Sequence, residues 1–164
     1  MNLNVEENLK SLEPWLSVIG LLTVMWTPVE RKIDECAFIL YSSKNKGKRP
    51  HNLNHKLEYI KNNLPSGVNC IPDFDEIIKI TKGTSQVRDV CVHGVIDSYD
   101  DNKMVIGKVQ GKSDNYQIEM FTYDQRRLFS AGNNLSVLYE IWDKLCKDLN
   151  LTLSTSRREH QYHD

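Results

Sequence analysis

The segment from Leu128 to Leu149 constrains the fold most, because its apolar residues follow a helical spacing without interruption. Steps of three and four residues separate these positions, which places their side chains on one face of a helix. The positions are Leu128, Ala131, Leu135, Leu138, Trp142, Leu145 and Leu149. A stripe of this length must be covered by other elements. The segment therefore predicts a long helix packed against a core, in a chain that is mostly helical.

A second apolar segment runs from Trp15 to Tyr41. Its stripe is formed by Leu16, Ile19, Leu22, Trp26, Val29, Ile33, Ala37 and Leu40. Thr27-Pro28-Val29-Glu30 resembles a capping box with proline at the first helical position. A proline inside a helix also removes a hydrogen bond and bends the axis. The segment is therefore predicted to be either two consecutive helices or one helix kinked at Pro28.

Two shorter helices are predicted in the middle of the chain. The first covers Asn52 to Asn63 and is stopped by Pro65-Ser66-Gly67. The second begins at Asp73-Phe74-Asp75-Glu76, where an acidic residue three positions after Asp73 favours a helix start. Its apolar stripe continues to Cys91, and Gly94 is a typical residue for the end of a helix.

Strand character follows this helix. After a polar turn at Asp97 to Asn102, Met104 to Gln110 and Tyr116 to Tyr123 have strand character. In the second segment apolar and polar residues alternate from Tyr116 to Met120, which indicates a hairpin strand with one wet face. We therefore expect a mostly α fold. It is an up-and-down antiparallel helical bundle with a β-hairpin between the helix that ends at Gly94 and the last long helix. Residues 1–153 are expected to form a single helical domain, and residues 154–164 a flexible C-terminal tail.

Composition excludes several classes of protein. The chain has 164 residues with a formal net charge of −1, so no global charge attracts nucleic acid or anionic lipid. Because no Cys-x-x-Cys pair is present, a zinc or redox motif has no support. Cys36, Cys91 and Cys146 lie among apolar residues, which favours reduced cysteines in the core.

No targeting signal is apparent at the N-terminus. The longest uncharged stretch, Pro14 to Val29, is too short to cross a bilayer. We therefore expect a cytoplasmic protein that does not bind a membrane.

The best candidate for chemistry is the helix end from Arg88 to Gly94. A guanidinium such as that of Arg88 can hold a phosphate through two hydrogen bonds. An imidazole, such as that of His93, can accept and donate a proton in catalysis, while Asp89 can orient either side chain. These three groups suffice for cleavage of RNA without a metal, because the guanidinium stabilises the charge that grows on phosphorus.

The segment Arg88-Asp89-Val90-Cys91-Val92-His93 resembles the signature of the HEPN superfamily, an Arg, a polar residue, a short spacer and a His. The following Gly94 and the element order from Trp15 to Leu149 are also similar to the family. The resemblance implies a helical bundle that forms a homodimer in which two motifs face one cleft. Arg88, Asp89 and His93 would be the catalytic residues.

The function implied by the resemblance is a metal-independent endoribonuclease in a toxin–antitoxin or antiviral defence setting. RNA would be the substrate, an antitoxin or another protein a partner, and no cofactor or metal is expected. The alternative is a non-catalytic dimeric module of HEPN type that binds a protein partner or nucleic acid. If the side chains of Arg88 and His93 line an open cleft, the ribonuclease is favoured. If both side chains are occupied by internal contacts, the non-catalytic module is favoured.

Three other patterns carry weaker predictions. Arg158 and His163 repeat the motif spacing, but they lie in the aperiodic tail. His51 and His55 are four residues apart, which suits a metal on one helix face, yet no third ligand is apparent. The basic loop after Tyr41 is a candidate contact for an RNA backbone, without the aromatic residues that stack on bases. Its cations are Lys44, Lys46, Lys48 and Arg49.

Overall fold

The computed structural model describes residues 5–44, 48–68, 73–111 and 116–161, with side chains described from residue 10 to residue 154 within those ranges. In this part of the chain the fold is mostly helical, with four helices and one three-stranded antiparallel sheet. The elements are α1 (Val5–Lys44), α2 (Leu53–Asn63), α3 (Phe74–His93), β1 (Val95–Tyr99), β2 (Lys103–Gln110), β3 (Gln117–Asp124) and α4 (Gln125–Gln161). The mostly helical class and a hairpin between α3 and α4 are confirmed.

Helix α1 is one helix, so the alternative of two consecutive helices is wrong. It includes Pro14 and Pro28, and Thr27 begins no new helix. Its buried face also differs from the predicted stripe in the first turns. Trp15 and Val18 are buried, whereas Leu16 is half exposed. The predicted face and the buried face differ by one residue, which is about 100° around a helix. The Trp15 indole, which is larger than the Leu16 side chain, occupies the core.

The capping residues of α2 and α3 explain why these helices begin where they do. The Asn52 side chain accepts a hydrogen bond from the backbone N–H of His55 at 2.8 Å. The Asp73 carboxylate accepts one from the N–H of Glu76 at 3.0 Å. Both caps satisfy an N–H group that has no partner within the helix.

The sheet has the strand order β1-β2-β3. Strands β2 and β3 pair in regular register, with Met104 opposite Tyr123 and Val109 opposite Ile118. Strand β1 was not predicted, and the expectation of a polar turn from Asp97 is wrong as far as Tyr99. The register of β1 shifts between Ile96 and Ser98. An extra residue of this kind interrupts the alternation by which a strand is recognised in sequence.

Residue contacts group the chain into two compact units. The first comprises the described residues of Met1–Trp26 and Gly83–Leu135. Its core joins α1, α3, the sheet and α4, and the Trp15 indole N–H donates to the carbonyl of Asp100 at 3.0 Å. The buried residues of this core are Trp15, Val18, Leu22, Trp26, Val90, Met104, Ile106, Tyr123, Leu128, Ala131 and Leu135.

The second unit comprises the described residues of Thr27–Lys82 and Ser136–Asp164. Its core joins α1, α2, α3 and α4, with Trp142 fully buried. Cys36 and Cys146 are buried side by side, with 2.7 Å between their Sγ atoms. The hydrogen bond with Cys146 and burial raise the pKa of the Cys36 thiol, so it stays protonated. The prediction of free cysteines in the core is confirmed for Cys36 and Cys146, whereas Cys91 in the first unit is free but only partly buried.

Helix α4 continues to Gln161, past the end of the apolar stripe. The expectation of an irregular backbone after Leu153 is therefore wrong as far as Gln161. Residues 162–164 lie outside the described residues, and the flexibility of the tail stays a prediction.

One described helix, the Lys10–Lys44 part of α1, is long and apolar enough to cross a membrane by length and composition. Core helices of soluble proteins and signal sequences share these properties. Nine apolar residues of α1 are buried in the two cores, from Trp15 to Leu40. The cytoplasmic location stays a prediction.

Candidate active site

The candidate site lies at the end of α3, within the first unit. Helix α3 ends at His93, and the Gly94 N–H still donates to the Val90 carbonyl at 2.8 Å. A Cβ at Gly94 would lie 2.6 Å from that same carbonyl oxygen and against the side chain of Ile106. Residue 94 is therefore a glycine because the helix end meets strand β2 closely. Its φ is not in the left-handed region, unlike that of Gly111.

Gly94→Ala is expected to destabilise the protein by about 1–3 kcal/mol, because the added methyl group overpacks a site that is closed by backbone on one side. Chemical denaturation followed by circular dichroism measures this loss. Gly83→Ala, within α3, is the matched control. Nothing lies within 4 Å of a Cβ there, so the alanine is expected to stabilise the helix by up to about 1 kcal/mol. A loss of stability in Gly83→Ala equal to that in Gly94→Ala would contradict the prediction.

Asp89 lies between two cationic groups. Its Oδ2 atom accepts a hydrogen bond from Lys108 Nζ on β2. Its Oδ1 atom is 3.7 Å from His93 Nε2, one helical turn further on. That distance lies within the range of an ion pair but is longer than a hydrogen bond. Asp89 is therefore anchored by Lys108, and its other oxygen faces the imidazole.

His93 is the accessible member of the motif. Its side chain is 58% exposed, and the helix that carries it ends at that residue. The ring is thus free to exchange protons with a molecule that approaches from solvent.

Arg88 differs from the other two residues in having an unsatisfied polar atom. Its Nε atom is shielded from solvent and has no hydrogen-bond partner among the described residues. A shielded N–H group without an acceptor costs stability, more so on a charged group. The Arg88 Nε–H group therefore lacks an acceptor within the ranges that the structure describes.

Two further ionisable side chains of this unit stay neutral. Burial raises the pKa of the Cys91 thiol to about 11. Burial, followed by the nearby Cys91, raises the pKa of the Tyr123 hydroxyl to about 12. Neither group is an anion near pH 7, so neither is a ready nucleophile or base at this helix end.

The structure adds Lys108, which the sequence reasoning missed. Its side chain is only 18% exposed. It lies on the same face of β2 as Met104 and Ile106, both fully buried. Lysine is rarely buried unless it is paired. The alternation along β2, which places a lysine on the same face as two apolar residues, was the sequence signal that could have identified Lys108.

The described cations of the predicted basic loop belong to the second unit. The prediction that Lys44 lies in a loop is wrong, because Lys44 is the last residue of α1. Lys44 donates to Asn63 Oδ1 at 2.7 Å, Lys48 is exposed, and the Arg49 guanidinium lies 5.1 Å from the centre of the Phe38 ring. Lys46 lies outside the described residues. No group of three or more His, Cys, Asp or Glu side chains suited to a metal ion occurs within the described ranges.

Comparison with protein-family models, with curated proteins and with solved structures finds no match for this chain.

Proposed function

We propose that the chain is a metal-independent endoribonuclease of HEPN type, with an up-and-down antiparallel bundle and a toxin–antitoxin or antiviral defence setting. One observation carries the proposal. The end of α3 carries an exposed imidazole, that of His93, five residues after Arg88, whose Nε atom has no hydrogen-bond partner among the described residues. A phosphate is the acceptor that suits such a guanidinium.

The proposed reaction uses the 2′-hydroxyl of RNA as the nucleophile. His93 accepts the 2′-hydroxyl proton, the 2′-oxygen forms a bond to phosphorus, and the bond from phosphorus to the 5′-oxygen breaks. A second imidazole, His93 of a second copy, donates a proton to the leaving 5′-oxygen. Arg88 stabilises the charge on the phosphoryl oxygens. Asp89, held by Lys108, faces the His93 imidazole and orients it. The products carry a 2′,3′-cyclic phosphate and a 5′-hydroxyl.

The experiment is incubation of the purified full chain with end-labelled RNA, with and without EDTA. Cleavage that persists with chelator and leaves 2′,3′-cyclic phosphate ends supports the proposal. DNA of the same sequence is expected to stay intact, because it lacks the 2′-hydroxyl. Cleavage of DNA, or loss of cleavage with EDTA, would contradict the mechanism.

The chain is also expected to form a two-fold homodimer with the Arg88–Gly94 segments near the axis. One copy supplies one imidazole, whereas the reaction needs a base and an acid, and a two-fold interface brings the same segment of both copies together. Light scattering coupled to size exclusion is expected to give twice the 19.0 kDa mass of the chain at micromolar concentration. A monomer at that concentration would count against the dimer, as would cross-linking that maps the interface far from His93.

The non-catalytic module has one observation in its favour. Val95, Val109, Ile118 and Met120 lie on one face of the sheet and are each about half exposed or more. Contiguous apolar surface of this kind is typical of a site for a protein partner. A chain that cuts no RNA yet binds a partner through this face would support the module.

A further inference from the structure

A second candidate site lies at the start of α2, within the second unit. It is an open depression of about 440 Å³, a volume within the range of small-molecule sites. Its wall includes Lys48, Arg49, His51, His55 and Tyr59. Two cations and two imidazoles therefore surround a space large enough for a nucleotide.

The charge of this depression is positive and held in place. The stacking of Arg49 on Phe38, 5.1 Å from its ring centre, fixes the guanidinium by a cation–π contact. Lys44 adds an ammonium at the edge through its hydrogen bond to Asn63, which also lines the wall. Glu58 is the carboxylate of the described wall, and its Oε1 atom is 3.4 Å from Lys82 Nζ. The first turn of α2 has no acidic residue to offset the positive end of the helix.

Hydrogen bonds assign opposite tautomers to the two histidines in their neutral form. His51 Nδ1 is 3.2 Å from the Arg49 carbonyl oxygen, which can only accept, so His51 carries its proton on Nδ1. His55 Nδ1 is 3.0 Å from the Asn52 amide nitrogen, which can only donate, so His55 carries its proton on Nε2. The Asn52 orientation is fixed because its oxygen accepts from the His55 backbone N–H.

The pair therefore offers a ligand one donor and one acceptor. His55 presents Nε2–H, which suits a phosphate oxygen, and His51 presents an unprotonated Nε2, which suits a hydroxyl group. The two ring centres are 6.2 Å apart and the rings are nearly perpendicular. A sugar phosphate carries both an anionic acceptor and hydroxyl donors within that span.

We infer that this depression binds the sugar phosphate of a nucleotide, through a site that is separate from the helix end at His93. The phosphate accepts hydrogen bonds from Arg49, Lys48 and His55 Nε2–H, and a ribose hydroxyl donates to His51 Nε2. The inference stands on the second unit alone and does not depend on the proposed ribonuclease activity.

Calorimetry of the full chain with AMP, ribose 5-phosphate and inorganic phosphate tests the site. AMP and ribose 5-phosphate are expected to bind at least 10-fold more tightly than inorganic phosphate, and to shift the imidazole NMR signals of His51 and His55. Absence of binding at millimolar AMP would overturn the inference. So would equal affinities for all three probes, or shifts confined to His93.

Substitutions separate a built site from general attraction of anions. Arg49→Met keeps an apolar stem on Phe38 but removes the charge, and is expected to weaken AMP binding at least 10-fold. Lys79→Met removes the same charge from an exposed position on α3, and is expected to change affinity less than twofold. Equal losses in the two variants would overturn the inference.

A histidine series tests the assigned tautomer. His55→Gln keeps a donor near the Nε2 position and is expected to keep most of the affinity, whereas His55→Leu loses it at least 10-fold. Equal loss in both variants, with folding intact by circular dichroism, would overturn the donor role.

Two further experiments test which molecule supplies the phosphate and whether the site is independent of His93. A 5′-phosphorylated RNA hexamer that binds more tightly than AMP and than its 5′-hydroxyl counterpart assigns the site to an RNA end. Tighter binding of AMP assigns it to free nucleotides. The His93→Ala variant is expected to bind AMP as the wild type does, even if no RNA cleavage is found. Loss of AMP binding in His93→Ala would overturn the separate site.

Discussion

Trp142→Ala is expected to lower the free energy of unfolding by about 3–5 kcal/mol, the usual cost of truncating a buried aromatic residue. The Trp142 side chain is fully buried in the second unit. Its indole packs edge-on against Phe74, 5.8 Å between ring centres. Its Nε1–H donates to Thr81 Oγ1 at 3.3 Å, and Thr81 is itself fully buried. The substitution therefore leaves a cavity and a buried hydroxyl without its donor.

Urea denaturation of Trp142→Ala beside Tyr139→Ala measures this loss. Tyr139 is an aromatic residue of the same helix that is 39% exposed, so its truncation is expected to cost about 1 kcal/mol or less. His163→Ala, beyond the apolar stripe, is also expected to be neutral. Equal losses in the two aromatic variants would show that the register of α4 differs from the one described.

The register of α4 was predictable because its stripe has no competing signal. Every predicted position from Leu128 to Leu149 is buried. Helix α1 was harder, because Leu16 and Trp15 are adjacent apolar residues and spacing alone cannot choose between them. Pro28 also gave a helix-start signal that the packed helix overrides, since a buried apolar face on both sides of the proline stabilises one continuous helix.

Prediction failed where a local rule was interrupted. The register shift in β1 removed the alternation after Ile96. The helix beyond Leu153 has no apolar stripe, so periodicity could not extend it, although the backbone is helical to Gln161. Both cases show that periodicity detects elements by a regular apolar face and gives no signal for segments that lack one.

The residues of the candidate site were predictable from the sequence, but the contacts between them and the sheet were not. The motif spacing named Arg88, Asp89 and His93, and all three lie in the last two turns of α3. The partner of Asp89 is Lys108, which lies 19 residues later in the chain, on β2. That contact depends on how the sheet folds back on α3, which no local pattern contains. Similarly, the pairing of His51 and His55 with opposite tautomers follows from Arg49 and Asn52 only once the loop geometry is known.

His93→Ala is expected to lower the rate of RNA cleavage by about 10²–10⁴-fold, the usual contribution of a general acid or base. The fold is expected to survive, because the side chain is mostly exposed and its contact with Asp89 is an exposed ion pair. Arg88→Lys is expected to lower the rate by about 10²–10³-fold. An ammonium keeps the charge but loses the two parallel hydrogen bonds to a phosphate.

The matched control is the pair Arg158→Lys and His163→Ala, which changes the same residue types at the same spacing elsewhere in the chain. Both controls are expected to cleave labelled RNA at the wild-type rate, and circular dichroism and light scattering are expected to be unchanged in all four variants. If His93→Ala cleaves as the wild type does, His93 carries no proton in the reaction and the mechanism fails. If the control variants lose cleavage instead, Arg158 and His163 are the functional pair. The reason is that only residues that contact the scissile phosphate can change the rate of cleavage this far without altering the fold.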